Sequence, residues 1–321
     1  MGGILYVSAE SGRAVRVQAT THAERAKSGH GAKMGSSRFV DTHFYMNFKY
    51  FSKNGVVRPM GGATIPLANI EYQYGFGVYE NIRVEKAIPF FLKDHLERLR
   101  ESARIIGLEH GFDEAIIGKS VAELVEKSGA GTYNLKIILI GAKAPENAAL
   151  CILPLNPHFP DKKLYRDGVH LSTYEYERPF PHAKTLNMLQ SYLAYKKVQE
   201  EGAYDALLIN SKGCITEGTR TNFFCMQGKV LFTPPEEEIL LGVTRKVVLF
   251  IAKANGFEVR GGEMAFSDLS RADGAFITST SSKILPVKSV DSFVLPEVPE
   301  ILRDLMRAVD DFYGSCGGVL T

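Results

Sequence analysis

Apolar residues along this chain recur with two different periods, and the change from one to the other marks out the elements. Across 94–106, Leu96, Leu99, Ala103 and Ile106 fall on one stripe of a helix, with Asp94 placed to cap it. Residues 113–127 repeat that pattern with Ile116, Ile117, Val121, Leu124 and Val125, and end at Gly129. A third helix is expected over 187–201, with an apolar face through Leu189, Tyr192, Leu193 and Val198. A fourth covers 244–255 and closes at Gly256, and 296–313 is amphipathic. Between these lie runs of strand character. Residues 133–140 and 149–155 read as buried strands, and 74–84 alternates around glycines before becoming β-rich. Residues 48–57 form two β-prone runs around Asn54-Gly55, the strongest short hairpin signal. Residues 204–210 and 222–226 are further strands, the second turning at Gln227-Gly228 into 229–233.

Where the periodicity fails, the chain divides. The stretch 156–166 (NPHFPDKKLYR) is polar and holds two prolines, so it reads as a linker. The expected layout is α+β, with a small domain over 46–155, a larger one over 167–321 and a cleft between them. Residues 1–45 have poor apolar periodicity, and the first forty carry six Lys/Arg against two Glu. A disordered tail, a targeting segment and an upstream extension all agree with that composition. A non-catalytic extension starting ahead of Met46 is the preferred reading.

Composition narrows the function classes. The chain has 321 residues, 45% hydrophobic and 23% charged, with a net charge of +2. That balance gives no sign of nucleic-acid binding, and no apolar run reaches the ~20 residues of a membrane span. Cys151, Cys214, Cys225 and Cys316 lack CxxC spacing, so they read as free thiols of a reducing, cytoplasmic setting. No metal site is expected, because no ligand cluster of usual spacing occurs.

Four segments carry chemistry. Lys184 stands in a weakly charged stretch, KTLNMLQSYLAY. Glu217 lies in ITEGTRTNFF, on an expected turn before a strand. LLGVTRKVV opens a helix, and FITSTSSKILPV places a hydroxyl-rich loop after an apolar strand. Together they offer an amine nucleophile, a carboxylate and two anion-binding backbone turns. Those are the parts that hold pyridoxal 5'-phosphate (PLP): a lysine for its aldehyde, a carboxylate for its ring nitrogen and a phosphate cup.

In this order and spacing the segments resemble the class IV aminotransferases, which are fold-type IV PLP enzymes of the D-amino acid and branched-chain aminotransferase type. The resemblance covers roughly 46–321. It implies a two-domain fold with PLP in the interdomain cleft and Lys184 as the catalytic lysine. Glu217 would face the pyridinium, with Leu240 beneath the ring. Arg98 of HLERL, the helix start at Val243 and Thr244, and Thr280 would bind phosphate, where unspent N–H groups favour anions. Tyr79 and Arg83 of YGFGVYENIR, with the backbone of Thr280 and Ser281, would meet the substrate. The resemblance also implies a homodimer.

Two departures stand out. GAKAPEN, at 141–147, lacks the arginine-containing carboxylate trap of D-amino acid enzymes, and Lys283 stands where the family usually has Glu. The expected reaction is transamination between an amino acid, best an L-branched-chain one, and 2-oxoglutarate. The rivals are D-amino acid transamination, lyase chemistry of the aminodeoxychorismate type, and a non-enzymatic binding module on the same scaffold.

Overall fold

The computed structural model describes residues 48–157 and 159–319. The expected extension at 1–45 lies outside them. The strands gather into two sheets. The first contains β1 (Tyr50–Lys53), β2 (Val56–Pro59), β3 (Gly77–Glu85), β4 (Ile88–Pro89), β5 (Thr132–Ile140) and β6 (Ala149–Leu155), in the order β2-β1-β6-β5-β3-β4. Asn54 and Gly55 have φ of 52° and 82°, the left-handed pair that a tight hairpin needs. Helix α1 (Ile70–Gln73) precedes β3, and α2 (Leu92–Ile105) and α3 (Glu114–Ser128) follow β4. Both longer helices cover one face of the sheet. Leu96, Leu99, Val121 and Leu124 pack there against Val78, Ile82, Leu135, Ile137 and Leu139.

The second sheet holds nine strands: β7 (Val169–Glu175), β8 (Asp205–Ile209), β9 (Ile215–Gly218), β10 (Asn222–Gln227), β11 (Val230–Thr233), β12 (Glu258–Gly261), β13 (Gly274–Ser279), β14 (Lys283–Val290) and β15 (Phe293–Val294). Its path runs β10-β13-β14-β7-β8-β9 and closes on itself where Glu217 of β9 pairs with Asn222 of β10. The ring of strands encloses Phe223, Ile277, Leu285 and Val287. Outside it lie α4 (Lys162–Asp167), α5 (Leu189–Glu200), α6 (Val243–Ala254) and α7 (Glu300–Ser315). The last two share a core with Phe224 and Phe276.

Four expectations need correction. The helix expected at 94 begins at Leu92 with Phe91 as N-cap, and Asp94 instead sits in the first turn, paired with Lys246. A carboxylate there still suits the helix dipole. Residues 162–166 of the expected linker belong to α4, because Asp161 accepts from Lys163 N and Gly168 (φ 78°) ends the helix. Glu217 lies in a strand rather than on a turn, since the chain reverses at 219–221. Of the apolar stripe on α5, only Val198 is buried. Leu189, Tyr192 and Leu193 are 62%, 44% and 42% exposed, while Ser191 and Ala194 face inward.

Candidate active site

The site begins at a free strand edge. Strand β4 pairs only with Val84 and Glu85, so the first half of β3 lacks a neighbour on that side. The segment around Lys184 docks there. Tyr79 N donates to Lys184 O (2.9 Å), Leu186 N to Gly77 O (2.8 Å), and Lys184 N to Ser102 Oγ of α2 (3.1 Å). Gly77 permits the approach, because a Cβ there would lie 2.6 Å from both Leu139 O and Leu186 Cδ1. With its backbone held from two directions, Lys184 places Nζ 4.6 Å from the centroid of the Tyr79 ring. Tyr79 is buried. Burial resists ionisation of its phenol, but the cations of Lys184, Arg178 and Lys136 prevail and pull its pKa below the ordinary value.

Glu217 stands where the second sheet closes. Leu240 N donates to its Oε2 (3.1 Å), and Asn222 Nδ2 lies 3.3 Å from the same oxygen. Asn222 also donates to Leu240 O (2.7 Å), which locks the amide between β10 and the loop ahead of α6. A Cβ on Gly242 would run into Asn222 Oδ1, so glycine is needed at that contact. The other oxygen, Oε1, is different. Arg178 Nε lies 2.8 Å away, yet off the hydrogen-bond direction, and both atoms are buried without a hydrogen-bond partner. The guanidinium instead donates to Gly218 O (3.3 Å) and Thr219 O (2.6 Å). Burial lifts the Glu217 pKa above the ordinary value, against the opposing pull of Arg178, the Leu240 N–H, Lys184 and Arg98. On the same face Thr278, paired with Asn222, leaves its Oγ1 without a partner.

Arg98 reaches the site from α2. Its Nε and NH2 each donate 2.7 Å bonds to the two oxygens of Glu80, and NH1 donates to Leu241 O (3.1 Å). One N–H on each terminal nitrogen is left for another acceptor. His95 Nδ1 lies 2.7 Å from Glu80 Oε2, which completes a triad of buried Glu80 and His95 with the half-buried Arg98. Burial acts against the Glu80 anion, but Arg98 and His95 hold its pKa at about 2. Leu241 leads into α6, whose N-cap, Gly242, supplies no side-chain cap. Val243 and Thr244 are buried at this helix start.

The hydroxyl-rich loop is the β13–β14 turn. Ser279 Oγ and Ser282 Oγ are 2.7 Å apart, and Ser282 N also donates to Ser279 Oγ, so 280–281 project as a fixed tip. Arg83 NH1 donates to Ser281 O (3.1 Å), and Asn134 Nδ2 lies 3.4 Å from Ser281 Oγ. The Arg83 guanidinium also pairs with Glu85 and lies 4.3 Å from the Phe159 ring centroid, so protein groups already engage it. Lys283, at φ 55°, turns outward to Asp310 of α7 (2.7 Å), away from the tip. Thus Lys184, Tyr79, Glu217, Leu240 and Arg98 are mutually linked through contacts and charge, and Arg83 and Ser281 meet at the turn. Arg178, Asn222, Glu80 and His95 were not singled out as site residues from sequence. Glu80 carried a signal: it is the acid among the apolar residues on the core face of GVYENIRVE. Arg178, a lone cation beside a proline, carried none.

Residues 77–290, more than half of the chain, match the family described as Amino-transferase class IV. D-alanine aminotransferase of Bacillus licheniformis is 32% identical over 247 residues, covering 74% of this chain and 87% of that protein. A putative branched-chain-amino-acid aminotransferase of Methanocaldococcus jannaschii is 32% identical over 256 residues, with the same coverages. Among solved structures, the branched-chain aminotransferase of Thermoproteus uzoniensis with norvaline superposes with a TM-score of 0.74 at 26% identity, covering 82% of this chain and 93% of that one. The T.th. branched-chain amino acid aminotransferase with pyridoxamine 5'-phosphate gives 0.77 at 26% identity, over 83% and 95% of the two chains. The chain belongs to the class IV aminotransferases.

Proposed function

We propose that this enzyme binds PLP between Lys184, Glu217 and the start of α6, and moves the amino group of a hydrophobic L-amino acid to 2-oxoglutarate. The observation that carries the cofactor assignment is Glu217 Oε1: buried, beside the Arg178 guanidinium, yet without a hydrogen-bond donor. A protonated ring nitrogen is the partner such an oxygen lacks. The donor set fits the rest of the group. Leu240 lies beside Glu217, while the remaining N–H groups of Arg98, the uncapped start of α6 at Val243 and Thr244, and Thr280 form the phosphate cup.

Bound PLP supplies an aldehyde and an electron sink for charge that develops at the substrate α-carbon. Lys184 Nζ is the amine for that aldehyde, and once free it moves the proton at the α-carbon. Tyr79, beneath Nζ, limits where the ammonium can rest. Arg83 anchors the 280–281 turn, whose N–H groups face the substrate carboxylate. Glu80 and His95 orient Arg98. Apolar side chains of the donor would pack near Tyr79 and Ile138, gaining about 0.8 kcal/mol per buried methylene. We place the protein in the cytoplasm, as a homodimer whose second copy covers the exposed face of α5. Among the described residues no helix is long and apolar enough to cross a membrane.

Two measurements test this reading. Borohydride reduction of the yellow protein, followed by peptide mapping, should put the pyridoxyl label on Lys184, and a label on another lysine overturns the assignment. Turnover of L-leucine with 2-oxoglutarate should exceed that of D-alanine, D-glutamate and an (R)-amine at equal concentration. Faster turnover of any of these three removes the branched-chain preference and leaves the cofactor site standing.

A further inference from the structure

Helix α2 touches both halves of the molecule, and its first turn goes against the usual chemistry of helix starts. Phe91, its N-cap, has no capping side-chain bond and sits at φ 54° and ψ 37°, a left-handed conformation that bulky residues avoid. Such a residue persists only where its surroundings hold it. The C-terminal segment does so here. Phe91 N donates to Gly318 O (2.6 Å), and Phe91 O accepts from His95 N (3.1 Å) to begin the helix. The Phe91 ring stacks on Phe312, with 3° between the planes and centroids 6.3 Å apart. It also meets Tyr313 edge-on at 5.1 Å, and both of these partners belong to α7.

Gly318 is fitted to this place. It is buried at φ 83°, just past α7, in a turn closed by Val319 N and Cys316 O (3.1 Å). A Cβ on it would lie 2.6 Å from Ile88 Cγ2, 3.3 Å from Pro89 O and 3.4 Å from Phe90 Cα. Phe91, Asp94 and Arg98 fall at i, i+3 and i+7, one stripe of the helix. Each meets the half built on the second sheet, at Gly318 O, Lys246 and Leu241 O. On the other stripe Leu96, Leu99 and Ala103 lie in the core of the first sheet. Three ties therefore fix α2 along its length against the α6–α7 side. The tie at Phe91 is the one made by two backbone groups, so no side-chain rotation can absorb a displacement there.

We propose that the C-terminal turn at 316–318 is a positioning element for Arg98: Gly318 O sets the start of α2, and so sets where the Arg98 guanidinium stands against the start of α6. This rests on the reading of Arg98 as a phosphate ligand. A guanidinium bonds an anion at full strength only in a narrow geometry. Arg98 commits Nε and one NH2 hydrogen to Glu80 and one NH1 hydrogen to Leu241 O. The two N–H groups that remain point where the helix aims them. Glu80 is carried on β3 and Leu241 on the loop ahead of α6, so a shift of α2 along its axis cannot keep both contacts. The consequence falls on the phosphate. The ring is held from the second sheet by Glu217 and Leu240, which no contact of the C-terminal turn reaches.

The test compares the full-length protein with Gly318→Asn, and with Gly318→Asn joined to Ile88→Ala. Asparagine tolerates a left-handed φ, so the first change acts mainly through its Cβ against Ile88, and trimming Ile88 makes room for it. A chain ending at residue 315 removes the carbonyl without adding an atom. Dissociation constants of PLP and of pyridoxal, its phosphate-free form, are measured by absorbance titration. Gly318→Asn and the shortened chain should weaken PLP about tenfold and pyridoxal by less than about twofold, as for a weakened charge-assisted bond. Adding Ile88→Ala should recover most of the loss. Amide exchange at Phe91 should quicken in Gly318→Asn and slow again in the double variant. Equal weakening of both ligands would leave the turn a general support of the fold and overturn the proposal, as would unchanged PLP affinity in both altered chains. Arg98→Ala separates the two possible failures. A phosphate-selective loss there, with none in the Gly318 series, removes the C-terminal turn alone. No loss in Arg98→Ala removes Arg98 from the phosphate cup, and the proposal with it.

Discussion

At the scale of single residues, the site balances one carboxylate that is fully satisfied against one that is not. Glu217→Gln keeps the size and the Leu240 contact but removes the carboxylate that the proposed function sets opposite the ring nitrogen. The variant should still bind PLP, while its half-reaction with L-leucine slows by about a hundredfold or more, because the ring nitrogen loses the partner that favours its protonated form. Stopped-flow loss of the cofactor colour measures this, and a near-normal rate would return Glu217 to a structural role. Glu80 is the satisfied carboxylate. Its folded-state pKa of about 2 lies below the ordinary 4.5, so its contribution to stability is complete above pH ~4.5 and is lost as pH falls toward 2. His95 adds in the same direction: burial lowers its pKa below 6.5, so protons favour the unfolded chain as pH drops. Glu80→Gln leaves Arg98 and His95 without their anion and should cost about 3–5 kcal/mol at pH 7. The gap between variant and wild type in urea unfolding should narrow as pH is lowered from the ordinary carboxylate value of 4.5 toward the folded-state value of about 2. A constant gap would mean that Glu80 does not titrate in this range.

At the scale of elements, the site depends on a strand that is half unpaired. The 184–186 segment fills the edge of β3 only because residue 77 has no side chain. Gly77→Ala should push Leu186 and the Leu139 carbonyl apart, costing about 1–3 kcal/mol, and should shift the absorbance of bound PLP as Lys184 moves. A variant with unchanged melting temperature and spectrum would show that the edge tolerates a methyl group. Such long-range docking explains what the sequence could and could not disclose. Periodicity located α3, β5, β6, α6 and the Asn54-Gly55 hairpin within a residue or two, because local pattern alone decides them. It set the start of α2 two residues late, since Phe91 as N-cap lacks a side-chain signal. The strings behind the expected site residues are legible for the same local reason: Lys184, Glu217 and the 280–281 turn, all still expectations as site groups, each sit in a short distinctive string. Arg178 was not, because its meaning depends on partners brought in by pairing of distant strands. The strand position of Glu217 follows from closure of the second sheet, which no window around 217 contains.

At the scale of the whole molecule, the misplaced apolar stripe of α5 becomes informative. Leu189, Tyr192 and Leu193 lie at i, i+3 and i+4, so they form one outward patch, while the small residues Ser191 and Ala194 let the helix sit close to its own sheet. The same helix begins five residues after Lys184, so whatever covers its face also steadies the segment carrying the lysine. Three exposed large apolar side chains on one helix are unusual for a surface that meets only water. If a second copy lies there, as proposed, replacing Leu193 with Glu puts an unpaired charge into the interface. Sedimentation should then shift from dimer toward monomer, with the far-ultraviolet spectrum retained because residue 193 does not face the protomer core. Activity per protomer should fall with dilution more steeply than in the wild type, since the loop ahead of α5 loses its support. A Leu193→Glu protein that stays dimeric at micromolar concentration, with undiminished activity, would move the interface to another face and leave the exposed stripe without an assigned partner.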